Sequence, residues 1–315
     1  MKNSKIFVAG HNGMVGSSLV RTLKCNGYQN ILLASRNELD LTNQKDVFQF
    51  LEQHRPDYIF IAAAKVGGIY ANNTFRAEFI YQNLVIATNL IHAAWQLGIN
   101  RLLFLGSSCI YPRQCPQPIL EEYLLSSPLE PTNEPYAIAK IAGLKMCESY
   151  NRQYGTEYVC VMPTNLYGQN DNYDLNNSHV IPALIRKCHE AKLNNVPFVS
   201  LWGTGSPRRE FLYVDDLSKA CIALMETPSK PSHDVYNVGM GEDLTIRELA
   251  MTIAKVVGYT GELRFDVNQL DGPPQKLLNI DRISELGWTP TIKLEAGLKI
   301  AYSNFLEKVQ EADFA

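Results

Sequence analysis

The chain has 315 residues, a formal net charge of −3, 46% hydrophobic and 19% charged residues. That balance is ordinary for a globular protein of about two domains, and with no Lys/Arg-rich block it argues against a nucleic-acid binder. No apolar run approaches the roughly 20 residues of a membrane span, and the first stretch, MKNSKIFVAGHNG, lacks the apolar core of a signal peptide, so a cytoplasmic protein without membrane contact is expected.

Short apolar strands are expected at 5–9, 30–34, 57–62 and 101–106, alternating with amphipathic helices at 15–26, 43–54 and 79–97. Apolar strands in a βαβ rhythm predict a parallel sheet covered on both faces, the Rossmann-type doubly wound α/β architecture. A long helix over 134–154 opens with Pro135 and stops at Gly155, and a strand follows at 158–162; proline suits a first turn and glycine a helix end. Past residue 165 the pattern breaks into loops, with helices expected at 181–192, 214–225 and 245–257 and a return to the sheet near 234–238. This divides the chain into a Rossmann-type domain over 1–164, revisited near 209–216 and 234–240, and a smaller domain, expected to bind substrate, in the rest of 165–315.

The seven cysteines (25, 109, 115, 147, 160, 188 and 221) include no C-x-x-C pair and are read as reduced thiols, mostly small core residues. None of the six histidines has zinc-motif spacing, so no metal is expected.

The first strand runs into Gly10, His11, Asn12, Gly13, Met14, Val15 and Gly16, a G-x-x-G-x-x-G string that opens a helix. Glycines there permit a tight turn and close approach of backbone N–H groups to a pyrophosphate, whose charge the helix N-terminus favours. That placement within a βαβ unit is what separates the motif from a plain glycine turn. At the end of the second strand, where an NAD enzyme offers an acid, stand Arg36 and Asn37. A cation suits a ribose 2′-phosphate, so NADP(H) is expected, although a solvated surface arginine reads the same way. Asp40 and Leu41 are candidates for the adenine edge.

Within the long helix, Tyr136 and Lys140 share one face. A nearby ammonium lowers a phenol's pKa, and such a tyrosine can give a proton to a carbonyl oxygen. Ser107, at the tip of the fourth strand, would polarise the same oxygen. A Y-x-x-x-K pair alone is more often a helix surface.

In order, the glycine string, the serine and Y-x-x-x-K resemble the short-chain dehydrogenase/reductase family. The length and PTNLYG at 163–168 look like its extended, nucleotide-sugar-modifying branch. Closer still is the resemblance to the epimerase–reductases of GDP-4-keto-6-deoxy-D-mannose. It is carried by GHNGMVGS at 10–17, AAAKVGGI at 62–69, GSSCIYP at 106–112 and EPTNEPYAIAKIAG at 130–143. It continues through NSHVIPALI at 177–185, PRREFLYVDD at 207–216 and DGPPQKLL at 271–278, and so spans nearly the whole chain.

The resemblance implies inversion of C3 and C5 through an enolate, with Cys109 as base and His179 as acid, and then reduction of C4 with NADPH. It extends the cofactor site to Leu105, Gly106, Ser107, Lys140, Pro163, Thr164, Asn165, Leu166 and His179. It carries Lys187, Trp202, Arg209 and Asp271 to the nucleotide sugar, with Lys276 a weaker candidate, and implies a homodimer through the 79–97 and 134–154 helices. Without it, Cys109 reads as packing, His179 as a surface residue, Trp202 as core and Arg209 as a salt bridge to Asp215 or Asp216. Asn12 stands where some relatives carry an arginine, which leaves the NADP argument mainly on Arg36. Two other functions share these motifs: a nucleotide-sugar 4-epimerase with bound NAD, and a non-catalytic NADP-sensing regulator.

Overall fold

Ile6, Phe7, Val8 and Ala9 are all buried and form β1 (Ile6–Ala9). Both faces of the strand are covered, which is why it reads as an unbroken apolar run. The computed structural model describes residues 2–175, 177–227, 231–269 and 271–313. After β1 come α1 (Met14–Cys25), β2 (Ile31–Leu32), α2 (Gln44–His54), β3 (Tyr58–Ile61), α3 (Ile69–Thr74), α4 (Arg76–Gln96) and β4 (Arg101–Leu105). Then follow α5 (Glu134–Tyr154), β5 (Glu157–Pro163), β6 (Asn165–Tyr167), α6 (Val180–Leu193), β7 (Phe198–Trp202), β8 (Arg208–Arg209), β9 (Phe211–Tyr213) and α7 (Val214–Glu226). The remaining elements are β10 (Val235–Val238), β11 (Leu244–Thr245), α8 (Ile246–Val257), β12 (Glu262–Asp266), β13 (Gln275–Lys276), α9 (Asp281–Ser284) and α10 (Leu294–Asp313).

Six strands make one parallel sheet in the order β10-β5-β4-β3-β1-β2. Alternate residues of β1 feed two cores. Phe7 and Ala9 join Val47, Leu51, Leu90 and Leu144 from α2, α4 and α5. Ile6 and Val8 join Leu19, Leu23, Leu217 and Leu224 from α1 and α7. The chain leaves β1 for β2 on one side and returns to β3 on the other. A crevice forms at the carboxyl ends of strands where the order reverses in this way, and open α/β sheets bind ligands there.

The expected alternation is present, with differences at element ends. α4 starts at Arg76 rather than 79, and β2 has two residues instead of the five expected. The expected return to the sheet is β10, paired with β5. Several elements were not expected: α3, α10, and the short pairings β7–β12, β6–β9 and β11-β8-β13. A third core fills between α6, α8 and α10, around Tyr167, Tyr213, Leu249, Ile253, Leu298 and Phe305.

Two buried acids connect these parts. Glu210, between β8 and β9, is fully buried. Its Oε1 accepts from the N–H groups of Met240 (2.6 Å) and Gly241 (2.8 Å), and its Oε2 from that of Leu278 (3.1 Å). Its backbone carbonyl accepts from Asn165 Nδ2 at 2.9 Å. One residue therefore joins β6, the turn after β10 and the segment after β13. Asp216, in the first turn of α7, accepts from the N–H groups of Thr291 and Ile292, each at 2.7 Å, and from Lys219 Nζ at 2.9 Å.

Burial raises the Asp216 pKa, but these hydrogen bonds outweigh it and leave the carboxyl below its ordinary 3.8. Its contribution is therefore present above that value and lost as pH falls through the lower folded-state pKa. Asp216→Asn is expected to cost about 1–3 kcal/mol at pH 7, because an amide nitrogen cannot accept. In urea unfolding the gap from the unsubstituted protein should close below pH 3.8; a gap unchanged there would count against this role.

Candidate active site

The G-x-x-G-x-x-G string forms the turn between β1 and α1. Gly10 has φ +86°, and a Cβ there would lie 2.6 Å from the Ala63 nitrogen, across the switch point. A Cβ at Gly16 would collide with the Gly10 carbonyl oxygen, which itself accepts from Gly13 N–H at 3.1 Å. The N-terminus of α1 has no side-chain cap and no acid in its first turn. Its first N–H groups are therefore not taken by a capping side chain, as an anion site requires. His11 Nδ1 is buried with no partner among the described residues. A buried polar atom of this kind needs a partner, and an anionic ligand on the loop supplies one. Asn12 and Gly13 are exposed, and Met14 and Val15 are half-buried.

Arg36 and Asn37 are exposed beyond β2. Asp40 is engaged locally: its Oδ1 accepts from Thr42 N (2.9 Å) and Oγ1 (2.7 Å). Those bonds hold its carboxyl below the usual range, and Arg36 adds to the effect. The Leu41 carbonyl accepts from Asn89 Nδ2 at 3.0 Å. Arg36 has no hydrogen bond or ion pair among the described residues, so its guanidinium is available to an anion.

Four groups meet at the end of β4. The Leu105 carbonyl accepts from Lys140 Nζ at 2.7 Å. Gly106 follows, where a Cβ would overlap the Met162 sulfur. Ser107 then caps a single 3-10 turn, Ser108–Ile110, by accepting from Cys109 N–H at 3.3 Å. That turn places Cys109 inside the site, 9% exposed. Burial pushes its thiol above the ordinary 9, while Lys276, a hydrogen bond from Ser107 and Lys140 pull the other way.

Lys140 is 4% exposed. Burial pulls its ammonium down to about 8, against the opposing pull of Cys109 and Cys160. The expectation that Lys140 lowers the Tyr136 pKa is not met. Burial, with the Cys109 charge adding to it, raises the phenol well above its ordinary 10. The lysine charge is directed at the Leu105 carbonyl, and Nζ lies 5.7 Å from the Tyr136 ring centre.

His179 caps α6 with an extended backbone and makes no side-chain capping bond. The residue keeps more than a third of its surface exposed, and partial desolvation of the ring lowers its pKa below the ordinary 6.5. Contacts run from its loop to the reducing groups. Gly68 N–H donates to the Asn177 carbonyl at 3.0 Å, a Cβ on Gly67 would sit 3.3 Å from Phe79, and Phe79 meets Tyr136 edge-on at 6.4 Å. Pro163 and Thr164 are buried at the end of β5, and Asn165 and Leu166 are half-buried in β6.

Trp202, Arg209 and Asp271 are brought together from the second half. Trp202 is 73% exposed at the end of β7, so it is not core. Asp271 accepts from Thr204 N (3.0 Å) and Oγ1 (2.7 Å), tethering the turn after Trp202. Arg209 donates to the Pro273 carbonyl at 2.7 Å, not to the acids at 215 and 216, which pair with Arg21 and Lys219. Lys187 is half-buried on α6, eight residues or about 12 Å beyond His179. Sequence reading missed Glu210, and it also missed Asn83, whose amide clasps the Lys65 backbone at both N–H (2.9 Å) and C=O (3.0 Å). The only signal for Glu210 was a charged residue directly before the buried run Phe211–Tyr213. Asn83 had none.

Residues 6–239 match the model of the NAD dependent epimerase/dehydratase family. The chain belongs to that family. Within it, the sequence is 55% identical over 314 residues to the GDP-L-fucose synthase of Escherichia coli (strain K12), covering 98% of each chain. Among solved structures, a GDP-mannoheptose C4 reductase from Campylobacter jejuni with NADP bound superposes with a TM-score of 0.90 at 38% identity, covering 97% of this chain and 99% of that one. A GDP-L-fucose synthetase from Naegleria fowleri bound to NADP gives 0.89 at 26% identity, covering 98% and 96%.

The crowding at Gly16 makes a test of the loop. Gly16→Ala is expected to abolish most dinucleotide affinity, read by quenching of intrinsic fluorescence on titration with NADPH. Gly13→Ala, whose Cβ would lie at 3.5 Å from its nearest neighbour, is expected to bind nearly as the parent does. Equal affinities for all three proteins would refute the close-approach argument.

Proposed function

We propose that the chain converts GDP-4-keto-6-deoxy-D-mannose to GDP-L-fucose by inverting C3 and C5 and then reducing the C4 ketone with NADPH. The observation that carries this reading is the thiol of Cys109 among the reducing groups Ser107, Tyr136 and Lys140. Hydride transfer to a ketone does not use a thiol, whereas inversion beside a ketone needs a base.

Carbons 3 and 5 flank the ketone, so removing either hydrogen gives an enolate. The Cys109 sulfur takes the proton and the C–H electron pair moves towards the C4 oxygen. The Ser107 hydroxyl and the Tyr136 phenol donate to that oxygen, where charge develops. His179 returns a proton to the opposite face. Its imidazole, mostly neutral at pH 7 because its pKa is lowered, first takes a proton from solvent, which the forming enolate charge favours, and gives that proton to the carbon. Solvent resets both groups before the second carbon reacts.

The reduction reuses the same oxygen. Bound NADPH supplies the hydride to C4, and Tyr136 gives the oxygen its proton. Its high pKa keeps the phenol protonated until the alkoxide demands it. Lys140, charged at pH 7 and held on the Leu105 carbonyl, is the group that would hold the nicotinamide ribose. Gly10–Gly16 would hold the cofactor's pyrophosphate, Arg36 its 2′-phosphate, Asn37, Asp40 and Leu41 its adenine end, and Leu105, Gly106, Pro163, Thr164, Asn165, Leu166 and His179 its nicotinamide end. Arg209 and Lys187 meet the diphosphate, Trp202 offers its exposed face to the nucleoside, and Asp271 holds the turn that carries it. The first 164 residues are the cofactor domain and most of the remainder is the substrate domain.

A thiol base must stay reduced, which favours action in the cytoplasm. Exposed Tyr81, Ile138 and Tyr154 on α4 and α5 favour a homodimer through these adjacent helices. Sedimentation at twice the 35.4 kDa chain mass is the expected result, and a monomer at micromolar concentration would refute it.

A second reading, a C4 reductase without epimerase activity, is favoured by the likeness to the Campylobacter jejuni enzyme. Incubation in D2O with the 4-keto sugar and no NADPH separates the two. Deuterium is expected at C3 and C5 with the parent chain. Cys109→Ser should slow exchange by about 100-fold, the lower range for loss of a general base. Tyr136→Phe should lose reduction while cofactor binding persists, which a non-catalytic sensor would not predict. Reduction without any exchange would leave the simple reductase, and NAD recycled without net consumption would leave the 4-epimerase.

A further inference from the structure

Cys109 is a buried sulfur that has to carry negative charge. Of the influences that oppose its burial, Lys276 comes first, then a hydrogen bond from Ser107, then Lys140. Lys140 is already engaged, with Nζ on the Leu105 carbonyl at 2.7 Å. Lys276 has no hydrogen bond or ion pair among the described residues. Glu210, an acid that acts on it, has both oxygens taken by the N–H groups of Met240, Gly241 and Leu278.

A backbone seam ties the strand that carries Lys276 to the segment that follows Cys109. Ile119 N–H donates to the Leu277 carbonyl at 2.7 Å, and Asn279 N–H to the Ile119 carbonyl at 2.9 Å. Leu277 N–H donates to Gln117 Oε1 at 2.8 Å. The strand β13 is thereby stitched to the loop that follows Cys109, while its other side pairs with β8, where Lys276 is level with Arg209. The ammonium thus feels the sulfurs of Cys109 and Cys115, which favour its charge, and the like charge of Arg209, which opposes it. Lys276 is half-buried, a partly desolvated ammonium gains from a counter-ion, and Cys109, once ionised, supplies one.

We propose that Lys276 is a positioning residue for proton abstraction, supplying the countercharge that lets the Cys109 sulfur ionise. The role rests on the epimerase–reductase reading above. When the sulfur takes the C3 or C5 proton, its charge is neutralised and the electron pair passes to the C4 oxygen, which faces Ser107 and Tyr136. Lys276 therefore serves the resting base and not the enolate, and its loss impairs exchange more than it impairs reduction. A diphosphate contact shared with Arg209 is the competing role, and it predicts weaker sugar binding instead.

The test is alkylation of Cys109 by iodoacetamide as a function of pH, read by peptide mass spectrometry on the full chain, with exposed Cys25 as internal reference. In Lys276→Met and Lys276→Gln the Cys109 midpoint is expected to rise by about one pH unit, a tenfold loss of thiolate below it. Lys276→Arg should hold the midpoint near that of the parent, and Cys25 should not move. Deuterium exchange at C3 and C5 should fall in step with the thiolate fraction. An unmoved midpoint in the neutral variants overturns the proposal, as does a raised KM for the GDP sugar with the midpoint intact. Should neither neutral variant fold, the parent chain decides. Anionic iodoacetate must be favoured over iodoacetamide at Cys109 relative to Cys25, and equal selectivity at the two overturns the proposal. The alkylation needs no substrate, so parent protein lacking C3 and C5 exchange would sink the functional reading separately.

Discussion

The buried carboxylate of Glu210 is the constraint on which the site geometry depends. Through three backbone N–H groups and its own carbonyl it ties β6, the turn after β10 and the segment after β13 to one point. Burial raises its pKa, and those N–H donors work against the rise. Gly239 has to be a glycine beside it, because a Cβ there would overlap Oε1. Arg209 is its chain neighbour, and Lys276 is held by strand pairing one step away. The second half thus brings Arg209 and Lys276 together beside one acid, whose carboxylate satisfies backbone N–H groups of two segments and whose carbonyl holds Asn165 of a third.

The chemistry is a contest between burial and countercharge. Cys109 and Tyr136 are driven up by desolvation, and Lys140 and Lys276 are driven down. Each shift favours the uncharged form, so the resting crevice holds its charges at a disadvantage. Such an arrangement makes each charge responsive to its neighbours, since a proton leaving the sulfur or reaching the ketone oxygen changes the field on every other group. A low-dielectric crevice strengthens those couplings, which suits one ketone serving first as an electron sink and then as a hydride acceptor.

Much of the fold was legible. The buried strands read as apolar runs, Pro135 and Gly155 marked both ends of α5, and the glycine string announced the turn at the switch point. α10 has apolar residues at Leu298, Ala301 and Phe305 in helical spacing, a pattern that was legible but not read. The two-residue pairings β8–β11 and β8–β13 were not legible, because so short a strand has no period to detect. The expected lowering of the Tyr136 pKa failed for a related reason. Spacing puts Lys140 on the same helix face, but not where its ammonium points.

By itself the sequence determined the sheet, the order of the crossover helices, the anion-binding turn and the presence of Ser107, Cys109, Tyr136 and Lys140 within two short segments. These are properties of neighbours along the chain, governed by helical and strand periodicity and by the backbone freedom of glycine. Only the tertiary structure decided the protonation landscape and the countercharge. Whether a thiol is raised or lowered depends on burial and on a cation more than 160 residues away, and the seam from Gln117 and Ile119 to Leu277 that positions the strand of Lys276 leaves no trace in local pattern. Desolvation and Coulomb energy depend on distance in space, and sequence spacing is blind to it.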